Sequence, residues 1–368
     1  MAFRGEPGPS HEPAAGAGVG VLIANLGTPD APTAPALRRY LREFLSDPRV
    51  IEQPRWKWLP ILYLFVLTRR PKMSAALYRK VWTPAGSPLL VGTEKLAVAV
   101  GEALRHRVAE PLQVAVGMRY GNPSLGSTMR RLADAGCHRI LLFPLYPQYS
   151  GTTTAATFDA AFAELQGWRR IPELRTVASY HDDPAVIAAL AATVRESWAA
   201  RGRSRKQLFT FHGIPRRYVD AGDPYYRHCL DMARLLAAAL GLGADDWLTT
   251  FQSLFGKEEW LRPYTDETMK RLGAERLESV DVLCPGFAVD CLETLEEIDG
   301  LNRELFTHAG GGEYRYVPCL NDRPDHVEAL AGIALRQLGG WVTPRDQPMP
   351  SRASTPATMA SQRSPSKP

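Results

Sequence analysis

The sequence predicts an α/β protein of two similar lobes, each a four-stranded parallel sheet flanked by helices, with a cleft between them. Three observations lead there. Eight short runs rich in Val, Ile, Leu and Phe recur along the chain, four in each half. Each passes through a turn into a helical pattern, the alternation that builds parallel sheets. At 368 residues the chain also exceeds one ordinary core, taking ~150 residues per domain.

The first four strands are read at 19–25 (VGVLIAN), 112–118 (LQVAVGM), 139–145 (RILLFPL) and 174–180 (LRTVASY). The second four fall at 207–212 (QLFTFH), 247–252 (WLTTFQ), 279–284 (SVDVLC) and 314–319 (YRYVPC). Their apolar stretches are continuous rather than alternating, so both faces of each sheet must be covered. The arrangement is Rossmann-like, with the division near residues 180–185: a first lobe over 19–180 and a second over 181–341. Residues 1–18 read as a disordered leader. From Val342 to 368 the chain is rich in Pro, Ser and Thr and reads as a disordered tail.

Charge and cysteine content exclude several classes. The formal net charge is +5, but the leader contributes −1 and the tail +3, leaving +3 for residues 19–341. No clustered basic stripe occurs, so no nucleic-acid partner is expected. Cys137, Cys229, Cys284, Cys291 and Cys319 are odd in number and form no C-x-x-C pair, which fits reduced thiols in a cytoplasmic protein. No G-x-G-x-x-G follows the first strand and no G-x-x-x-x-G-K-[ST] occurs, which disfavours a nucleotide enzyme. No G-x-S-x-G is present either.

Residues 55–72 (RWKWLPILYLFVLTRRPK) hold an apolar run of about ten residues between basic flanks. A bilayer span needs ~20. Either the run is a buried helix, or it is an apolar lip for a greasy ligand or for the inner face of a membrane, touched peripherally.

In open parallel sheets, ligands bind beyond the carboxyl ends of the strands. The residues there are Asn25-Leu26-Gly27, Arg119-Tyr120, Tyr146 to Tyr149, His212-Gly213, Gln252-Ser253 and Pro285 to Phe287. His212 can accept a proton near neutrality or bind a metal. Gly213 allows close backbone approach beside it. Asp290, Glu293 and Glu297, spaced 3 and 4 apart, would share one helical face. Two readings of them compete: an N-terminal capping box of Asp290 with Glu293, or a file of carboxylates that binds a cation or relays protons. Like charges four apart cost ~0.2–0.5 kcal/mol, which tilts toward the second. One imidazole and one carboxylate do not close a four-ligand site. They suit a metal in transit.

Taken in order, the motifs NLGTP (25–29), YRKVWTPAGSPL (78–89), GMRYGNPSL (117–125), LYPQYSGTTT (145–154), FHGIP (211–215), GDPYYRHC (222–229), FQSLFGKEEWLRPYTDE (251–267) and PGFAVDCLETLEE (285–297) resemble the ferrochelatase family over roughly residues 19–335. The resemblance implies the chelatase fold with porphyrin between the lobes, and an enzyme of the lyase class that inserts Fe2+ into protoporphyrin IX to give protohaem. It places the family's catalytic and metal-binding histidine on His212 and its glutamate on Glu293, with the proton or metal path on Asp290 and Glu297. Porphyrin contacts fall on Leu26, Arg70, Tyr78, Ser87, Arg119, Tyr120, Gln252 and Ser253, and the active-site lip on 56–67.

Gly151 stands where some relatives have a cluster-ligating cysteine, and no Cys follows Cys319. No iron–sulfur cluster is therefore expected, and iron enters as substrate. Phe251 and Cys291 replace a Trp and a His found in other relatives. Other readings remain open: a chelatase for coproporphyrin with iron or a corrinoid precursor with cobalt, or a non-catalytic porphyrin or haem carrier.

Overall fold

A computed structural model describes residues 18–256 and 258–345. Two four-stranded sheets are present, each wholly parallel. The first has the order β2-β1-β3-β4, from β1 (Gly18–Thr28), β2 (Leu112–Gly121), β3 (Cys137–Pro144) and β4 (Glu173–Thr176). The second repeats it as β6-β5-β7-β8, from β5 (Lys206–His212), β6 (Trp247–Gln252), β7 (Ser279–Leu283) and β8 (Glu313–Val317).

Helices around the first sheet are α1 (Ala34–Ser46), α2 (Arg55–Ile61), α3 (Leu67–Val81), α4 (Pro88–Arg105), α5 (Leu125–Asp134) and α6 (Ala156–Leu165). There follow α7 (Pro184–Arg201), α8 (Arg216–Asp220), α9 (Tyr225–Leu240), α10 (Thr265–Ala274), α11 (Arg303–His308) and α12 (Pro324–Leu338). Three π-helical segments, Leu62–Val66, Gly151–Ala155 and Glu293–Asn302, lie between or before them.

Local chemistry explains several boundaries. Asp183 caps α7 by accepting from the Ala185 and Val186 amides, with Pro184 at the first helical position. Gly241 ends α9 in the left-handed conformation. In β1, Val19 and Val21 to Ala24 are all buried, as a strand covered on both faces requires. Gly27 has φ of +111°, and a Cβ there would lie 1.8 Å from the Tyr120 carbonyl oxygen. Only glycine lets β1 run this close to the end of β2.

The lobes are two sheets but not two independent sets of helices. α12 packs against both α4 and α7, so the last helix covers the first sheet. One apolar core draws residues from both halves, including Val21, Leu96, Leu190, Phe209 and Leu330. Trp341, 3% exposed, donates its indole N–H to Glu173 of β4 at 2.7 Å and stacks under Arg175. The Ala109 amide donates to the Thr343 carbonyl at 2.9 Å, and the Arg345 amide to that of Arg107 at 2.8 Å. A tail loose from Val342 is thus corrected: residues 342–345 are fastened to the first lobe, because the backbone of Arg107 to Ala109, after α4, pairs with them. Gly18 likewise belongs to β1; the rest of the expected leader and tail, 1–17 and 346–368, lies outside the described residues.

The 55–72 segment is two-sided. Trp58, Leu62 and Leu67 are buried against α1 and its neighbours, with the Trp58 indole donating to the Leu45 carbonyl. On the other side Trp56, Leu64 and Phe65 are 74%, 65% and 59% exposed. A wholly buried helix is thereby excluded. Among the described residues no helix is long and apolar enough to cross a membrane.

Candidate active site

His212 is the last residue of β5 and pairs in register with Gln252 at the end of β6. Its Nδ1 lies 2.7 Å from the Gly213 carbonyl oxygen. A carbonyl can only accept, so Nδ1 carries the hydrogen and the Nε2 lone pair is left for a proton or a metal. The backbone around it is held twice more. The Gly213 amide donates to the Gln252 carbonyl at 2.8 Å, and the Tyr225 hydroxyl donates to the His212 carbonyl at 2.9 Å. A Cβ at Gly213 would sit 3.0 Å from the Gln252 carbonyl oxygen and 3.1 Å from Trp260, so the expected close approach is real.

The loop after β6 links His212 to the acidic helix. Ser253 donates its amide N–H and its hydroxyl to Glu297, at 2.8 and 2.5 Å. Burial raises the Glu297 carboxyl above its usual range; Ser253 and nearby His212 pull it down, while Glu293 pushes it up. Glu297 therefore lies within electrostatic reach of both His212 and Glu293.

Glu293 opens the π-helix Glu293–Asn302, whose wide turn keeps residues four apart on nearly one face. Glu293 and Glu297 share that face. Asp290 does not, which corrects the expected file of three. It precedes the helix, and its carboxylate accepts from Thr294, Tyr316 and Asn321 at 3.1, 2.5 and 2.8 Å. The capping box is also absent in the form expected. Thr294 rather than Glu293 returns to the turn, accepting from the Cys291 amide at 2.9 Å.

The first lobe supplies the opposite wall. Lys80 of α3 pairs with Glu296 of the π-helix at 2.7 Å, drawing α3 against it. Tyr78 and Tyr40 both feel the Glu293 charge, and burial pushes both phenols well above the usual range. Burial does the same to Tyr120 and Tyr146, so all four stay protonated. Leu26, Tyr78, Tyr120, Leu292 and Phe255 belong to one apolar cluster that joins the lip to the second lobe. Arg70 lies over the Phe255 ring at 4.3 Å.

Other expected contact residues are deeply placed. The Ser87 hydroxyl accepts from Thr28 at 2.8 Å, and the Gln252 side-chain Oε1 from Thr210 at 3.1 Å. Gln252 Nε2 is buried without a partner. Tyr120 is fully buried and donates to Asp47 at 2.7 Å; Arg119 pairs with the same carboxylate and lies over the Tyr120 ring. Asp47 and Tyr40 are functional neighbours that no sequence motif marks. Asp47 follows α1 with no motif around it, so only its fold-level neighbours reveal it. Tyr146 was within the post-strand residues after β3.

Among the described residues no group of three or more His, Cys, Asp and Glu side chains is placed to hold a metal ion. The protein's own donors are an open set of one free imidazole nitrogen and two carboxylates beside an aromatic, hydroxyl-rich wall. Such a set can take protons from, and guide a cation to, a flat apolar ligand lying between the lobes.

Comparison with known proteins bears on what that ligand is. The family described as Ferrochelatase matches residues 18–338. A ferrochelatase of Thioalkalivibrio sulfidiphilus is 55% identical over 323 residues, covering 88% of each chain. One from Polaromonas sp. strain JS666 is 53% identical over 350 residues, covering 94% of this chain and 95% of the relative. The solved structure of SirB from Bacillus subtilis with Fe3+ shares the fold at TM-score 0.53 and 10% identity, over 88% of this chain and 96% of that one. With a match this long and identities this high, the chain belongs to the ferrochelatase family.

Proposed function

We propose that this protein inserts Fe2+ into protoporphyrin IX, forming protohaem at the last step of haem biosynthesis, as a lyase. One observation carries the reading beyond family membership. The Gly213 carbonyl fixes the His212 tautomer at 2.7 Å, leaving Nε2 free, while Glu297 feels the charge of both His212 and Glu293.

Metal insertion must remove two N–H protons from a weakly acidic macrocycle whose lone pairs point inward. Binding the ring bent, nearer the transition state than the ground state, lowers that barrier. Leu26, Tyr78 and the lip would grip the ring and Arg70 answer a propionate, while Tyr120 and Arg119, both tied to Asp47, would back that wall. Ser87, Gln252 and Ser253 line the same cleft. Gln252 Nε2, a buried donor without a partner, supports a role toward a polar ligand atom. His212 then accepts a pyrrole proton, and Glu293 takes the complementary part with iron or the second proton. Glu297 carries charge away from Glu293.

Iron is a substrate here, not a resident cofactor. The enzyme would work in the cytoplasm, with the exposed Trp56, Leu64 and Phe65 resting on the inner face of a membrane where apolar porphyrin resides. That apolarity favours protoporphyrin over the more carboxylated coproporphyrin.

Absorbance-monitored insertion of Fe2+ or Zn2+ into protoporphyrin tests the reading. Wild-type turnover is expected, with His212→Ala losing chelation while still binding porphyrin. Near-normal insertion by that variant defeats the assignment. Faster turnover of coproporphyrin, or of cobalt into a corrinoid precursor, redirects the substrate. Binding without turnover makes the protein a carrier.

A further inference from the structure

Asp290 and Asn321 face each other as a reciprocal pair. The Asp290 amide donates to Asn321 Oδ1 at 2.9 Å, and Asn321 Nδ2 returns a hydrogen bond to Asp290 Oδ2 at 2.8 Å. The second Nδ2 hydrogen goes to the Cys319 carbonyl at 3.0 Å, so the whole carboxamide is used. Asn321 itself sits at φ of +49°, in the left-handed region that asparagine tolerates better than most side chains. Its backbone is tied on both sides: its amide donates to the Ala288 carbonyl at 2.9 Å, and His326 Nδ1 donates to its carbonyl at 2.7 Å.

The remaining oxygen of the pair is equally occupied. Asp290 Oδ1 accepts from Tyr316 at the end of β8 and from Thr294 in the π-helix. The clamp thus joins four elements: the end of β8, the loop leading into α12, the turn 285–292 and the start of the π-helix. That turn delivers Glu293 two residues after Cys291, whose own amide is held by Thr294. The backbone on each side of Glu293 is fixed by this network, whose bonds run among Asp290, Cys291, Thr294, Tyr316 and Asn321 and not to His212 or Glu297.

We infer that Asn321 and Asp290 are a positioning pair, which presents Glu293 to His212 and takes no part in moving protons or metal itself. This rests on the chelatase reading of the site. It reassigns Asp290 from the acidic path to the scaffold beneath it. A carboxylate held through both oxygens by the side chains of Thr294, Tyr316 and Asn321 is a poor relay. It is a good anchor, because charge-assisted bonds resist thermal slippage better than neutral ones.

The test uses full-length protein and zinc or iron insertion, with kcat and both KM values measured well below each variant's melting temperature. Asn321→Gly keeps the left-handed backbone and removes only the amide. A Glu293 displaced by a fraction of an ångström is expected to lower kcat about ten- to hundredfold, with the KM for porphyrin within about twofold of wild type. Asn321→Asp and Asp290→Asn should each lose a similar factor. The exchange D290N/N321D restores one donor facing one carboxylate, and is expected to recover most of the loss, a coupling that two independent structural defects would not show. In Asn321→Asp alone, protonating one acid of the pair also restores a donor, so its deficit should shrink as pH falls. Wild-type kcat in Asn321→Gly, or additive losses in the exchange, overturns the inference. Failure of the wild type itself to insert metal would instead overturn the functional reading on which it stands.

Discussion

Ser253 holds Glu297 by its amide and its hydroxyl at once, from a backbone at φ of +70° that few residues other than glycine adopt. Both donors point one way only because the loop takes that conformation. Burial raises the Glu297 carboxyl, and this loop conformation places both Ser253 donors to oppose it.

Removing the hydroxyl should be visible in the pH profile. Burial already raises the Glu297 carboxyl, and Ser253 opposes it. Ser253→Ala deletes one charge-assisted bond worth about 1.5–3 kcal/mol, or roughly one to two pH units. If the carboxylate is the working form, the acid limb of kcat is expected to move to higher pH by about that amount. An unmoved limb would separate Glu297 from the rate-limiting proton transfer.

His326 offers a stability test. It is 1% exposed, and burial pulls its imidazole down to about 4. A histidine depressed in the fold contributes stability that is present above its unfolded value near 6.5 and is lost as pH falls through 4. Denaturant unfolding between pH 6.5 and 4 should therefore lose about 1.4 kcal/mol per pH unit to this one proton. His326→Gln should flatten that dependence by the same slope. His181 and His228, stacked at 3.8 Å and both depressed by burial, would keep the remainder.

The lip can be changed without touching the core. Leu64 and Phe65 are more than half exposed, so replacing both with Ser is expected to leave the melting temperature within about 2 °C, as surface changes of ±0.5 kcal/mol do. Sedimentation with anionic vesicles should nevertheless fall about tenfold or more, from apolar area at ~25 cal/mol per Å². Equal binding by the wild type and the double variant would remove the lip from any membrane role.

Trp341→Ala is expected to cost about 3–5 kcal/mol, the range for emptying a buried large aromatic site. The loss should appear in denaturant melts while kcat per folded molecule stays unchanged, since Trp341 contacts Glu173 and Arg175 rather than the cleft. A fall in kcat without a fall in stability would contradict that separation.

How much of this was legible in the sequence depends on how local its causes are. The eight strands were readable because burial on both faces leaves unbroken apolar runs. β4 came out much shorter, 173–176 against 174–180, as the chain leaves the sheet edge after Thr176, while β7 and β8 are each a single residue shorter. His212 was readable from its place at a strand end. The π-helix was not, because a spacing of four between Glu293 and Glu297 fits either helix type. Asp290's true orientation is set by Tyr316 and Asn321, more than 25 residues away. Nothing near Asp290 in sequence points to them. The capping pattern pointed to Glu293, yet Thr294, one residue on, fills that role. Nor does any periodicity tell α12 to cross to the opposite sheet.

That crossing limits how the molecule can breathe. A bilobed receptor usually admits its guest by swinging about a pair of flexible straps. Here the final helix, the indole of Trp341 and the strand bridge at Thr343 rivet the far half to the near one. A broad guest then meets a fixed frame rather than two closing halves, and the exposed apolar side of 55–72 is the part of that frame turned outward.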